Sequence, residues 1–221
     1  MQKQYKPLLF RVLLYAAGIT ILAFGTILST RTGLGVSCIT SAPAAISAAL
    51  GWNLSVIVFL IYAGMIAAQF LIKKKEQRTW RDLLQFPVAL LFSIYLEWFG
   101  RLIQVRFDHL WQNLTLMGCA IVLIGIGVCL MVNMEIVPNP PDGLAHTISK
   151  VTGKDMGLIK NIVDTTCVAV AVAVDLLSAG TIATVGIGTV CSMILVGRVI
   201  YVTNRLFKEK MRHFAGMQAE M

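Results

Sequence analysis

The chain has 221 residues, of which 57% are hydrophobic and 14% charged, with a mean hydropathy of +0.77 and a net charge of +8. This composition is far more apolar than a soluble domain of the same length needs, so it excludes an ordinary soluble protein and indicates an integral membrane protein. The net charge alone would also suit a nucleic-acid-binding protein, but the placement of the basic residues favours a membrane.

Six segments are predicted to cross the membrane, since a crossing helix needs about 20 mainly apolar residues. The clearest are residues 54–72 and 114–132, because each has 19 residues without a charge. Four further segments contain polar residues and cover about residues 8–30, 83–103, 157–178 and 182–204. The basic start of the chain resembles a signal peptide, but its apolar region is longer and has no clear small-x-small cleavage site. We therefore interpret it as a retained first helix.

Two breaks interrupt this pattern of helices. The first break, residues 32–37, has the sequence TGLGVS and precedes a short amphipathic segment at residues 39–50. The second break, residues 137–143, has the sequence VPNPPDG and precedes a similar segment at residues 144–151. Their surroundings superpose at a spacing of 102 residues, so that Gly25 falls on Gly127 and Gly51 on Gly153. Paired broken helices in two halves of a membrane protein are typical of transporters that hold a solute between them.

The basic residues predict the topology. If the short segments do not cross, 15 of the 19 lysines and arginines fall on one side of the membrane, namely Lys3, Lys6, Arg11, Lys73, Lys74, Lys75, Arg78, Arg81, Lys150, Lys154, Lys160, Arg205, Lys208, Lys210 and Arg212. The positive-inside rule then places both termini in the cytoplasm. The alternative, in which residues 39–50 cross, would put the lysine run at residues 73–75 outside, and 12 residues are too few to cross.

The short segments are therefore predicted to be re-entrant half-helices. Three crossings per half are an odd number, so the second half enters the membrane from the opposite side. The predicted fold is an all-α polytopic protein, with six transmembrane helices and two half-helices in two inverted repeats. One membrane domain, residues 1–221, would contain repeats at about 8–104 and 113–207, with cytoplasmic tails at residues 1–7 and 208–221.

We predict a solute site between the two breaks. Unwound backbone inside a membrane is tolerated only where it is buried in protein or lines water, and an exposed helix start suits an anionic group. The expected site residues are Gly33, Gly35, Ser37, Thr40, Tyr62, Asn139, Asp142 and Gly143. Asp142 is either a helix N-cap worth about 1 kcal/mol or a ligand for a solute or ion, and Thr40 is its counterpart at the 102-residue spacing.

Three charged residues within predicted spans are assigned to coupling or gating, and these are Glu97, Asp164 and Arg198. A lone charge in hydrocarbon costs at least about 2.5 kcal/mol, so each should face the interior and find a partner. Glu97 and Arg198 either form a structural ion pair or act as a gate or ligand contact. Asp164 shares a helical face with Asn161 and Thr165 and is a candidate proton or cation site, whereas Asp175 is expected to be solvated near the outer interface.

Catalysis and cofactors have no support in the sequence. The five cysteines, Cys38, Cys119, Cys129, Cys167 and Cys191, lie in or beside apolar segments without a close pair, so packing is expected rather than disulfides or a metal site. A phosphate-binding loop, a nucleophile motif and a metal motif are all lacking. The sequence therefore predicts that the protein is not an enzyme and needs no cofactor.

Three motifs resemble those of the YczE/YyaS/YitT group of small bacterial membrane proteins. They are TGLGVS at residues 32–37, PNPPDGL at residues 138–144 and VGIGTV at residues 185–190, which opens the last predicted span. The likeness extends over nearly the whole chain. It implies a multi-pass protein of the bacterial cell membrane and specifies no solute.

The leading hypothesis is a small secondary transporter that moves a small organic solute by alternating access, with coupling to a proton or cation. The alternative is a solute-binding membrane subunit or scaffold that needs a partner for energy. The expected partners are the lipid bilayer, the solute, and either a second copy of the chain or a partner subunit. Nucleic acid is not expected as a partner.

Overall fold

The structure is a computed structural model, and it describes residues 5–73 and 78–216. This part of the chain is entirely helical, with nine helices: α1 (Tyr5–Arg31), α2 (Cys38–Leu50), α3 (Leu54–Ile72), α4 (Trp80–Leu83), α5 (Gln85–Leu102), α6 (Leu110–Met134), α7 (Pro140–Thr152), α8 (Met156–Ala179) and α9 (Ile187–Phe214). Three of the basic residues used for the topology, Lys3, Lys74 and Lys75, lie outside the described residues. The prediction of an all-α fold is confirmed for the described residues.

Within the same part of the chain, five helices are long and apolar enough to cross a membrane: α1, α3, α6, α8 and α9. Helix α5 lies at the predicted third span but is not among the five. It has 18 residues, about 27 Å at the usual helical rise, and Glu97 and Arg101 in its last turns lower its hydropathy. The described residues therefore contain five candidate spans, consistent with a multi-pass membrane protein, and one shorter, more polar helix.

The last predicted span needs a correction. It was expected at residues 182–204, but residues 180–186 form a loop and α9 begins at Ile187. Gly180 has a φ of 69° and caps the end of α8, which stops that helix before the loop. Helix α9 then continues to Phe214, so much of the predicted tail at residues 208–221 is helical.

Side-chain contacts show how α1, α5 and α6 run. Arg11, near the start of α1, donates to the Met134 carbonyl at the end of α6 at 2.8 Å. Arg31, at the end of α1, donates to the Gly100 carbonyl near the end of α5 at 2.5 Å. Helix α1 is thus antiparallel to α6 and parallel to α5. We call the end of the bundle where α1 starts the basic end, and the other the opposite end.

The remaining long helices continue the alternation. Ser55, at the start of α3, donates to Glu97 near the end of α5 at 2.6 Å, so α3 starts at the opposite end and finishes at the basic end. Arg212, near the end of α9, pairs with Glu135 at the end of α6 at 3.6 Å, which brings the end of α9 to the basic end. The long helices therefore alternate in direction along the chain.

The two short helices have the same local structure at the spacing of 102 residues. Helices α2 and α7 each have 13 residues, and both end at a left-handed glycine, Gly51 with φ 67° and Gly153 with φ 69°. The hydroxyls of Ser47 and Ser149 each donate to the carbonyl five residues ahead, at 2.6 and 2.7 Å. Left-handed backbone is easy for glycine, which explains why these two ends were visible in the sequence.

Helices α1 and α6 pack backbone to backbone at the centre of the bundle. A Cβ added to Gly127 would lie 2.7 Å from the Leu22 backbone N, and one added to Gly25 would lie 3.0 Å from the Ala120 carbonyl O. Larger residues at either position would force the helices apart, so the glycines permit the close crossing. The short helices begin beside this central pair, which leaves a cavity between their starts.

Candidate functional site

A cavity of about 220 Å³ lies where α2 and α7 begin, against α3, α8 and α9. Its polar wall includes most of the predicted site and consists of Ser37, Thr40, Tyr62, Asn139, Asp142, Lys160, Asn161, Asp164 and Ser192. Its other wall is apolar and contains Ile124 of α6 and Met193, Val196 and Ile200 of α9. The cavity thus combines a charged side with a hydrocarbon side.

Lys160 connects the two carboxylates of the cavity. Its ammonium lies 2.7 Å from Asp142 Oδ1 and 3.8 Å from Asp164 Oδ1. Lys160 and Asp164 are four residues apart on α8 and so share a helix face, whereas Asp142 comes from the first turn of α7. Lys160 was expected among the cytoplasmic cations, and in the structure its ammonium forms part of the cavity wall.

Two buried oxygens of this wall lack hydrogen-bond partners. Asp164 is 9% exposed and Asn139 is 8% exposed, and Oδ1 of each has no hydrogen-bond partner in the described residues. Asn139 occupies the N-cap position of α7 but its side chain does not cap the helix. An unsatisfied buried acceptor typically costs about 1–3 kcal/mol, so a pair of them beside a cavity points to a ligand that supplies donors.

Neutral side chains complete the polar wall. The hydroxyls of Ser37 and Thr40 are 2.9 Å apart at the start of α2. Tyr62 stacks on Phe92 with ring centroids 5.7 Å apart, and the Asn139 side chain is a hydrogen-bonding neighbour of its hydroxyl. Because the Tyr62 and Ser37 side chains are already fixed by these contacts, the wall is preorganised.

Three predicted site glycines lie elsewhere. Gly33 and Gly35 line a separate cavity of about 270 Å³ toward the opposite end, because the first break turns away from the start of α2. Gly143 faces α3 and α5 instead of the cavity, and a Cβ there would lie 2.8 Å from Oε1 of both Gln69 and Gln85. Gly35 and Gly143 are in tight packing contacts, whereas a Cβ on Gly33 would meet no atom within 4 Å, and none of the three lines the 220 Å³ cavity.

Glu97 and Arg198 do not form the ion pair that was one of the interpretations left open for them. Glu97 accepts from Ser55 and forms an ion pair with Arg101 at 2.7 Å, four residues ahead on the same helix. Arg198 lies on an exposed part of α9, and within the described residues it has no ion-pair partner. Neither side chain lines the cavity, so neither is placed for direct contact with a solute there.

The three residues expected to form one polar face of α8 lie in different environments. Asp164 is buried and Asn161 lines the cavity, but Thr165 is exposed on another face of the helix. The buried face of α8 instead consists of Ile159, Asp164, Cys167, Ala171 and Asp175. The packing of apolar side chains therefore decides which face of α8 is buried, and the positions of its polar residues result from that rotation.

Direct backbone contacts close the bundle at the opposite end. Val36 N donates to Thr184 O at 3.1 Å and Gly188 N donates to Leu34 O at 2.8 Å, which joins the first break to the loop at residues 180–186 and the start of α9. A Cβ on Gly35, whose φ is 94°, would overlap the backbone N of Gly186. Two glycines in contact leave no passage between these segments.

Asp175 holds this loop in place. The structure corrects the expectation that it is solvated, because it is 3% exposed and its Oδ2 accepts from the backbone N of Ala183 at 2.9 Å and of Thr184 at 2.8 Å. The Thr184 hydroxyl donates to the same oxygen at 2.8 Å. Three donors to one carboxylate oxygen fix the loop that meets the first break.

A larger cavity of about 810 Å³ occupies the basic end. It lies between Lys73 and Asp82 on one side and the second break on the other, and it shares Asn139 and Asp142 with the smaller cavity. Burial by itself would raise the pKa of Asp82, but the Lys73 ammonium 2.7 Å away and the Thr79 amide together hold that pKa below its ordinary value. The smaller cavity therefore adjoins the larger one on the side of the basic end.

The sequence interpretation missed a pair of glutamines at the second break. Gln69 Nε2 donates to Gln85 Oε1 at 3.0 Å, Gln85 Nε2 donates back to Gln69 Oε1 at 2.9 Å, and Gln69 also donates to the Pro140 carbonyl at 3.2 Å. A glutamine in an apolar span was the available signal, since a buried amide must find partners. The same kind of signal existed for Lys160, four residues before Asp164.

In the described residues, no group of three or more His, Cys, Asp or Glu side chains is arranged to hold a metal ion. No curated protein matches the chain, and no solved structure matches it. One family does match, over residues 9–205, and its members have no assigned function. On this match, the chain belongs to the family of unknown function DUF6198.

Proposed function

We propose that the protein is a small secondary transporter of the bacterial cell membrane, and that it moves a small organic solute by alternating access. The observation that supports this most is the placement of the two cavities. The 220 Å³ cavity and the 810 Å³ cavity share Asn139 and Asp142 as lining residues on the side of the basic end, while Gly35 packs directly against Gly186 toward the opposite end. A site open to one side and shut to the other is what one state of such a transporter requires.

An inverted repeat of six crossings is part of the proposal, with α5 as the third crossing. It is supported by the alternating directions of the long helices and by the matched short helices. Helix α2 runs from the cavity to the opposite end, and α7 runs from the cavity to the basic end. The YczE/YyaS/YitT resemblance fits the same architecture, and the positive-inside rule would put the basic end and both termini in the cytoplasm.

The repeat also supplies a route to the second state. At the spacing of 102 residues, the loop at 180–186 corresponds to residues 78–84, and the first break corresponds to the start of the second break. The loop at 180–186 and the first break touch at the opposite end, whereas the 810 Å³ cavity separates residues 78–84 from the second break at the basic end. Exchange of these two arrangements would close the basic end and expose the cavity to the other side.

The test is uptake by purified protein in liposomes. A thermal-shift screen of metabolites would first identify a ligand, since a ligand at 100 times its Kd stabilises the folded state by about 2.7 kcal/mol. Uptake of that ligand under an imposed proton or ion gradient, without another protein, is the expected result. Tight binding without flux under any gradient would instead favour the partner-dependent binding subunit.

Site variants make the test specific. Asp142→Asn and Asp164→Asn should each weaken ligand binding, whereas Asp108→Asn, a matched change in the exposed segment before α6, should not. If both site variants bind and transport like the parent protein, the cavity is not the solute site.

A further inference from the structure

We infer that the small cavity binds an organic cation with an ammonium head and a compact apolar body, and that a proton competes with this cation at Asp164. The inference names the solute class of the proposed transporter and so rests on that function for flux, but the binding step stands on the cavity itself.

The charge of the cavity favours a cation. Asp142, Lys160 and Asp164 are the charged side chains of its described wall, and together they carry one excess negative charge. Lys160 is 2.7 Å from Asp142 and 3.8 Å from Asp164, so its charge is committed mainly to Asp142. Asp142 also offsets the positive start of α7, in whose first turn it lies. The uncompensated charge is therefore that of Asp164.

The unpartnered oxygens favour the same class of solute. Oδ1 of Asp164 and Oδ1 of Asn139 are buried acceptors that receive no hydrogen bond in the described residues, and both residues line the cavity. An ammonium head carries several N–H donors and could satisfy both oxygens, whereas a carboxylate or phosphate would face two acceptors and a negative charge. Tyr62, Asn139, Asp142 and Asp164 all line this one cavity.

The apolar wall and the volume limit the rest of the solute. Met193, Val196 and Ile200 of α9 line the cavity, and so does the aromatic pair Tyr62 and Phe92. A volume of about 220 Å³ corresponds to about seven water-sized groups of about 30 Å³ each. The solute body is therefore small and largely hydrocarbon.

Proton competition follows from the neighbours of Asp164. The titratable groups that face it are Lys160 and Cys167 on α8, Asp142 on α7, Cys38 on α2 and Tyr62 on α3. Protonation of Asp164 removes the excess negative charge and leaves the wall neutral. When the cation binds to protein in which Asp164 is protonated, the products are the bound cation, ionised Asp164 and one released proton. Coupled to alternating access, this is exchange of a cation for a proton.

The experiment compares three compounds with one hydrocarbon body: cyclohexylmethylamine, cyclohexylmethanol and cyclohexanecarboxylate. Binding to purified protein in detergent is measured by calorimetry between pH 6 and pH 8.5, where an alkylamine with a lysine-like pKa of about 10.4 stays charged. The amine should bind at least about tenfold more tightly than the alcohol, and the carboxylate more weakly than either. Where Asp164 titrates, the apparent Kd of the amine should rise by up to about tenfold per pH unit as the pH falls.

Two controls make the result decisive. Asp164→Asn should abolish both the preference for the amine and its pH dependence, whereas Thr165→Ala, on the exposed face of the same helix, should change neither. Calorimetry in buffers of different ionisation enthalpy should show proton release when the parent protein binds the amine. Equal affinity for the alcohol or the carboxylate, or binding without proton release, would overturn the inference.

The outcomes separate this inference from the proposed function. Amine-selective, proton-linked binding without flux in liposomes would remove the transporter and leave the cation site. Flux of a neutral or anionic solute that depends on Asp142, with no preference for the amine, would support the transporter and refute the cation site.

Discussion

Replacement of Gly35 by alanine should open the closed end of the protein. Gly35 has a φ of 94°, and an added Cβ would overlap Gly186 N and lie 2.6 Å from Thr189 Oγ1. Backbone atoms cannot move aside as a flexible side chain can, so the first break must separate from the loop at residues 180–186. The two backbone hydrogen bonds that join these segments would be lost with the contact.

The size of the effect follows from those bonds and from a matched control. A net backbone hydrogen bond contributes about 1 kcal/mol, so loss of two disfavours the closed arrangement by about 2 kcal/mol. This corresponds to about a 30-fold shift toward the open arrangement. Gly33→Ala is the control, because Gly33 also has a positive φ, of 65°, but a Cβ there meets no atom within 4 Å. It reproduces the left-handed strain without the collision.

The assay uses a native thiol of the cavity. Cys38 lines the cavity beside Ser192, and its rate of modification by a membrane-impermeant maleimide reports access from the opposite end. The other four cysteines, Cys119, Cys129, Cys167 and Cys191, are replaced by alanine. Gly35→Ala should raise the rate about 30-fold over Gly33→Ala in vesicles labelled from the opposite end. Equal rates in the two variants would refute the claim that this glycine contact closes the cavity.

Three further predictions concern single side chains. Lys160→Met leaves Asp142 without its cation and should lower the free energy of unfolding by about 2 kcal/mol. This loss is below the range for fully buried pairs because the lysine side chain is 32% exposed. Adding Asp142→Asn to this variant should recover most of the lost stability, as measured by thermal unfolding. Gly143→Ala should lower Tm by separating the paired amides behind it, whereas Gly64→Ala, with open space around its Cβ, should not; equal Tm values would contradict the packing role. The pKa of Asp82 is lowered in the folded protein, so its ion pair with Lys73 stabilises the fold by at most about 1 kcal/mol at a pH above the ordinary aspartate pKa. This stabilisation is lost as the pH falls through the folded pKa. Asp82→Asn should therefore flatten the dependence of unfolding free energy on pH in that range.

Most of the helical architecture was predictable because it depends on local properties of the chain. Long apolar segments form helices wherever they lie, and glycine supports the left-handed ends at Gly51 and Gly153 through its own freedom of φ. The same reasoning predicted the start of α2 to within one residue and the spacing of 102 residues, but it placed the start of the second short helix at residue 144, whereas α7 begins at Pro140 because proline is tolerated in the first turn of a helix. It misplaced the start of α9, because residues 182–186 are apolar enough to resemble a helix although they form a loop.

The candidate site was predictable in its members but not in its contacts. Asp142 and Asp164 were selected because a carboxyl group beside a helix break or within a span needs a reason to be there. Their connection through Lys160 required α7 and α8 to pack together, which no local pattern specifies. The opposite error occurred with Glu97, for which a distant partner was expected although Arg101 stood one turn away.

The sequence by itself determined that the chain forms apolar helices, that two of them are short, and that these two end at Gly51 and Gly153, because hydrophobicity and backbone preference act over a few residues. Tertiary structure alone decided that Gly35 meets Gly186, that Asp175 is buried under its loop, and that Asn139 and Asp164 keep an unpartnered oxygen. These features join segments more than 20 residues apart, and their geometry depends on the rotation and depth of each helix. That is set by side-chain packing across the whole bundle.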